Sequence, residues 1–283
     1  VFTMDGYMLA LLLAVSAVLF TKKRRLGFLP GAVCLAFSLG IYQAYLSFAM
    51  ILSLFAILML FGRAGEDGPG GGRAFREALR YLYMGVLGVA LYYGILRVLL
   101  LVQGKELADY QAIDTLGAGF ALEDGFLGAM KGMYRDFLGF TFKGNVLFQN
   151  IFSLAACVAL GGVAVLCVVF LAKTRKSWKN PVFFVIIGMA AVALPLATNV
   201  ILLISPSVTY HLLMRYQWVL YLIGALAFAV NSGCKGRKGA LLEWGAFLAA
   251  AVLVLCYGIT DNVAYSNLHK RYEKTYAYCV RLL

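Results

Sequence analysis

The chain has 283 residues, of which 63% are hydrophobic and only 13% charged, with a formal net charge of +12. Soluble domains carry about a quarter charged residues, so a water-facing globule could not hide this much apolar surface. Lipid is the solvent this composition implies, and a soluble fold is excluded.

Apolar runs of the length that crosses about 30 Å of hydrocarbon fall at residues 4–20, 28–43, 45–62, 80–101, 148–172, 181–204, 216–231 and 240–260. They predict an all-α, polytopic membrane helix bundle of about eight transmembrane helices. The second and third runs are nearly continuous. Together they are about twice the length of one crossing, which places a break at Leu39-Gly40-Ile41-Tyr42-Gln43 and makes the pair a tight helical hairpin.

Basic residues orient the bundle, because cytoplasmic loops carry an excess of Lys and Arg. Lys22, Lys23, Arg24 and Arg25 follow the first run, and Arg63, Arg73, Arg76 and Arg80 follow the third. Lys173, Arg175, Lys176 and Lys179 follow the fifth, and Lys235, Arg237 and Lys238 the seventh. These loops are therefore expected inside and the first residue outside. Topology alone then accounts for the net charge, since no concentrated basic groove for nucleic acid is present and no nucleic-acid partner is expected.

The longest stretch between runs, residues 102–147, falls on the outer side in this topology and holds Glu106, Asp109, Asp114, Glu123, Asp124 and Asp136. Within it Phe126, Leu127, Met130, Met133, Tyr134, Phe137 and Leu138 recur at helical spacing, with Lys131, Arg135 and Asp136 between them. That pattern predicts a helix in the membrane interface, either a plain strut sealing the bundle or a lid over a site at the outer leaflet. Arg97 lies about a turn below the outer end of the fourth run. An intramembrane cation that does not snorkel is a functional candidate, and a guanidinium fork matches phosphate oxygens. The outer turn at residues 205–217 crowds Ser205, Pro206, Thr209, Tyr210, His211 and Arg215 together. Arg215 is a second candidate for a phosphate, whereas Tyr210 and His211 also fit an aromatic belt and a surface imidazole.

No Walker loop, HExxH, GxSxG or dinucleotide fingerprint occurs, which removes the NTPase, protease, hydrolase and dehydrogenase classes those motifs mark. The six cysteines show no CxxC spacing and only His211 and His269 could join them as soft ligands, so no zinc site is expected. Acid–base chemistry would have to draw on the outer-loop carboxylates, Asp109 and Asp114 among them. Residues 261–283 are expected to begin an outer-side C-terminal tail. Val1 in place of a methionine suggests a segment of a longer protein.

Two segments, Ser38 to Ser47 and Asn262 to Tyr278, together with Leu91-Tyr92-Tyr93 through Arg97 and Asp109-Tyr110, resemble the bacterial glucosyltransferase family of the Gtr type-II kind. The resemblance implies a polytopic enzyme of the bacterial cytoplasmic (inner) membrane, its active face outward. Such an enzyme passes a sugar, glucose by this likeness, from a polyprenyl-phosphate carrier to a surface polysaccharide such as O-antigen. It implies no cofactor beyond that donor, leaves a metal open, and names the bilayer, the polyprenyl-linked sugar and the acceptor glycan as partners. Carried over are Arg97, Asp109, Tyr42 and Gln43 as site-region residues, with Arg215 added on physical grounds. Enzymes of this class keep their principal catalytic carboxylates in a first outer loop near the protein's beginning, a region this chain is not expected to contain. A transporter or flippase of a lipid-linked glycan, which would favour broken helices and internal repeats, and a polysaccharide polymerase or ligase are the alternatives.

Overall fold

In the computed structural model, residues 4–63, 71–105, 125–143, 150–174, 181–204, 210–231 and 236–282 are described. The helices are α1 (Met4–Lys23), α2 (Phe28–Ile41), α3 (Tyr45–Arg63), α4 (Gly71–Gln103), α5 (Gly125–Lys143), α6 (Ile151–Thr174), α7 (Pro181–Thr198), α8 (Ile201–Ile204), α9 (Val219–Asn231) and α10 (Arg237–Leu282), with a 3₁₀ segment at Leu212–Trp218. The described residues contain no strand, as the all-α expectation requires. Three helices are long and apolar enough to cross a membrane, over Asp5–Lys23, Arg73–Gln103 and Gly239–Arg281. The other apolar helices are shorter, such as Phe28–Ile41 and Tyr45–Phe61.

The chain divides into two compact units, Val1–Gly139 with Leu171–Gly224 and Phe140–Phe170 with Ala225–Leu283. In the first, small residues let helices approach closely, which is how packing is won where lipid removes the hydrophobic drive. Ala10, Ala14 and Ala17 recur along one face of α1 and are fully buried. Opposite them, a Cβ on Gly31 would lie 2.7 Å from the Ala17 carbonyl oxygen and 2.7 Å from Thr21 Oγ1. The same contact carries a polar tie, because buried Ser38 donates its hydroxyl to the Ala10 carbonyl at 2.7 Å. On the far side of α2, Gly88 of α4 makes room for Leu35.

The hairpin break falls where the sequence places it. Helix α2 stops at Ile41, Tyr42 is extended at φ −154°, and α3 starts at Tyr45. At the other end of α4, Gly104 takes the left-handed φ of 59°. Its N–H bonds to Leu101 O and that of Lys105 to Leu100 O, the paired bonds of a Schellman termination.

Long exposed apolar side chains line α4, including Leu82, Val86, Val98, Leu101 and Val102. That is the surface a lipid solvent accepts and water does not.

In the second unit, Asn150 caps α6 by accepting the Ser153 N–H at 2.8 Å, while Ser153 Oγ accepts the Asn150 N–H at 3.1 Å. Ala229 and Ala246 are buried together in this unit, with Val163, Leu226 and Leu242 packed against them. Helix α10 runs 46 residues without a break from Arg237 to Leu282, so residues 261–282, expected to begin a tail, continue it. His269 and Glu273 pair one turn apart at 3.2 Å on that extension.

Candidate functional site

The site lies in the first unit and starts from a broken helix. Pro195 sits inside α7 and lacks the N–H that would bond one turn back. The helix ends at Thr198, and α8 begins only at Ile201. Non-helical backbone at membrane depth survives only where protein groups satisfy it, and the groups are present. The Thr198 carbonyl accepts from Gln217 Nε2 at 2.9 Å and from the Tyr210 hydroxyl at 3.3 Å. Thr198 Oγ1 shares a short hydrogen bond with the Tyr221 hydroxyl. Thr198, Asn199 and Gln217 are buried at 0%, 0% and 1% exposure, polar residues that no apolar core would hold without such partners.

Helix α5 is clipped onto this break along one stripe. Asn199 Nδ2 donates to Met133 O at 2.9 Å, and the Tyr134 hydroxyl donates to Val192 O at 2.6 Å. Met133 is 2% exposed, and Phe137 stacks on Trp218 with ring centroids 4.9 Å apart. The predicted helix therefore exists, and its Met133–Phe137 stripe faces protein while Phe126, Leu127, Leu138 and Phe142 remain exposed.

Asp136 completes the clip. Arg215 grips it with two parallel bonds of 2.8 Å, and the Arg215 guanidinium lies over the Tyr210 ring, 3.9 Å from its centroid. Arg215 and Asp136 are 9% and 28% exposed, so the pair is partly desolvated and its fork geometry is of the strong kind. Tyr210 also accepts from Gln217 Nε2 at 2.7 Å. Burial pushes the Tyr210 hydroxyl up to about 12, against the pull of the nearby Arg215 charge, so it remains a neutral donor.

A cluster of tyrosines carries the site across to the α2–α3 hairpin. Tyr42 lies 4.6 Å from Tyr7 and 5.2 Å from Tyr45, and Tyr45 lies 6.5 Å from Tyr216, all between ring centroids. Gln43 Nε2 donates to the Tyr92 hydroxyl at 2.7 Å. The start of α1, the α2–α3 turn, the upper part of α4 and the segment from Tyr210 to Trp218 thus meet at one end of the unit. At the other end Arg80 Nη2 donates to the Thr21 carbonyl at 2.9 Å, close to Lys22.

Of the residues singled out in the sequence, Tyr42, Gln43, Tyr210 and Arg215 belong to this assembly. His211 is exposed and precedes the 3₁₀ segment as its N-cap, without a side-chain capping bond. Arg97 is exposed on α4, five residues beyond Tyr92. Asp109 and Asp114 lie outside the described residues. Sequence reading passes over Asn199, Gln217 and Thr198, and counts Asp136 only as one of several loop acids. The signal for the first three is present in Pro195 followed by Thr198-Asn199, a polar pair within an apolar run. Among the described residues no group of three or more His, Cys, Asp or Glu side chains is placed to hold a metal ion.

Comparison with curated proteins and with solved structures returns no match. A family model described as glucosyl transferase GtrII matches residues 2–231, from the start of α1 to the end of α9. That span includes every residue of the assembly described above, and the chain belongs to this family of glucosyl transferases.

Proposed function

We propose that this protein moves glucose from a polyprenyl-phosphate carrier to a hydroxyl of a surface polysaccharide at the outer leaflet of the bacterial inner membrane. The observation that carries the reading is the meeting of Tyr42, Gln43, Tyr210 and Arg215 at one end of the first unit, opposite the end where Lys22 and Arg80 lie. Under the positive-inside rule the basic end faces the cytoplasm and the tyrosine-rich end the outer leaflet. Glucosyl transfer is the activity of the family; donor, acceptor and leaflet are this reading's additions.

The reaction is a direct displacement. The acceptor oxygen forms a bond to the anomeric carbon while the bond from that carbon to the carrier phosphate breaks, and the leaving phosphate keeps the electron pair. A loop carboxylate, Asp109 or Asp114, takes the acceptor hydroxyl proton. Arg97, and Arg215 by sharing or exchanging its hold on Asp136, stabilise the charge growing on the phosphate. Tyr42 presents its ring and hydroxyl to a sugar, and Tyr210 seats the Arg215 guanidinium over its ring.

The test supplies membranes containing the full-length protein with labelled polyprenyl-phosphate glucose and the surface glycan. Label moving to the glycan, with Arg97→Ala slowing it by a factor of about 10² or more, supports the reading. Unchanged transfer in both Arg97→Ala and Arg215→Lys removes the phosphate clamp. The broken helix at Thr198–Val200 is a feature that transporters also use. If no polyprenyl-linked sugar donates label while lipid-linked glycan changes leaflets, the transporter reading replaces this one.

A further inference from the structure

At the basic end of the first unit, α1, α3 and α4 enclose a cleft with a volume of about 60 Å³, room for several waters. Its polar lining is Thr21, Lys22, Glu77 and Arg80, and its apolar wall includes Met59 and Leu60. Arg80 uses one nitrogen, Nη2, to cap the Thr21 carbonyl near the end of α1, where orphan carbonyls attract cations. Its Nε is buried and finds no hydrogen-bond partner among the described residues. Glu77 lines the same cleft one turn earlier on α4, yet no ion pair joins it to Arg80 or Lys22 among the described residues. Capping alone explains one nitrogen of the guanidinium and leaves a buried donor, a lysine and an open apolar wall unexplained.

We infer that this cleft holds the phosphate of an anionic phospholipid headgroup from the leaflet on the basic side. The three charges that line it sum to one positive charge, the complement of a single phosphodiester. Arg80 Nε supplies a directed donor and Lys22 a mobile one, the division of labour expected of guanidinium and ammonium toward phosphate. A lipid is favoured over a free phosphate because Ala56, Met59 and Leu60 give the cleft an apolar wall against which an acyl chain can lie. Basic pockets between helices at the cytoplasmic face are suited to such headgroups. Nothing in this inference depends on the transfer reaction at the opposite end.

Native mass spectrometry of the detergent-purified full-length protein, offered equal amounts of phosphatidylglycerol and phosphatidylcholine, reads the site directly. The expected result is one phosphatidylglycerol retained in preference. Arg80→Gln should weaken that retention about tenfold or more, and Glu77→Gln, by removing the one opposing charge, should strengthen it about two- to fivefold. Equal retention of the two lipids overturns the proposal, as does displacement of the bound lipid by soluble glycerol phosphate at equal concentration, which would mark a free phosphate site. Should Arg80→Gln fail to fold, Glu77→Gln decides alone, since it touches no cap, and an unchanged preference there refutes the site.

Discussion

Replacing Asp136 with alanine removes both 2.8 Å bonds from Arg215 and leaves a guanidinium only 9% exposed without its carboxylate. Breaking a fully buried pair costs about 3–5 kcal/mol. Asp136 is 28% exposed, and water reaching the Arg215 edge reduces the loss to roughly 2 kcal/mol. That cost falls on the docking of α5, because Asp136 belongs to the stripe that includes Met133 and Phe137. Met133 is 2% exposed, so the substitution Met133→Cys, in a background with the native cysteines replaced, reports the opening. When opening is faster than labelling, the maleimide rate follows the open population, and about 2 kcal/mol corresponds to roughly a 30-fold faster reaction. Asp136→Ala and Arg215→Ala should each give an increase of this order, and the double variant little more than either. Rates within twofold of the parent in Asp136→Ala, or single effects that simply multiply, would show that the pair does not hold α5 down.

Gly31→Ala should destabilise the first unit by about 1–3 kcal/mol, read as a lower unfolding midpoint, because its Cβ would meet backbone as well as the Thr21 hydroxyl. The raised Tyr210 acidity constant sets a direction with pH. From pH 10, the ordinary tyrosine value, to about 12 the folded protein keeps a proton that the unfolded chain has lost, so Tyr210's contribution is complete below pH 10 and falls as pH rises through that window. Tyrosinate absorbance against pH checks this, and Tyr210→Phe should remove one of the steps that titrate well above pH 10. Asn199→Ala should cost about 1–3 kcal/mol through the lost bond to Met133 O, and maleimide labelling of the Met133→Cys reporter should speed up in step. The thiol of an Asp114→Cys variant should react with an impermeant reagent added to intact cells; protection there would reverse the proposed orientation.

Helix positions are legible because apolar length and breaks are local properties. The hairpin turn at Tyr42-Gln43 can be read from the length of the apolar run, and the helix around Met133 from its periodicity. The partner of Arg215 cannot, because nothing in the sequence near residue 136 distinguishes that carboxylate from Glu123 or Asp124; only folding brings it within reach across 79 positions. The α7–α8 break escapes for a different reason. Residues 181–204 are apolar enough to read as one span, and hydropathy averages over Thr198-Asn199, whose role emerges only when Gln217 and Tyr210 arrive to satisfy the freed carbonyl. The boundary placed at 260/261 follows a change of polarity, but neither Gly nor Pro follows Gly258, so the backbone has no reason to stop.

The 46 residues of α10 extend about 69 Å at 1.5 Å per residue, more than twice the hydrocarbon thickness of a bilayer. An uninterrupted helix fixes direction as well as height. Deleting one residue between Gly258 and Ser266 would lower everything beyond it by about 1.5 Å and turn it through about 100°, carrying the stacked Tyr272–Tyr276 pair to a different side. Deleting seven would lower it by about 10 Å and return it within about 20° of its starting azimuth. Tolerance of the longer deletion but not the shorter would mean that the extension works by the direction it faces, and the opposite pattern would mean that it works by its reach.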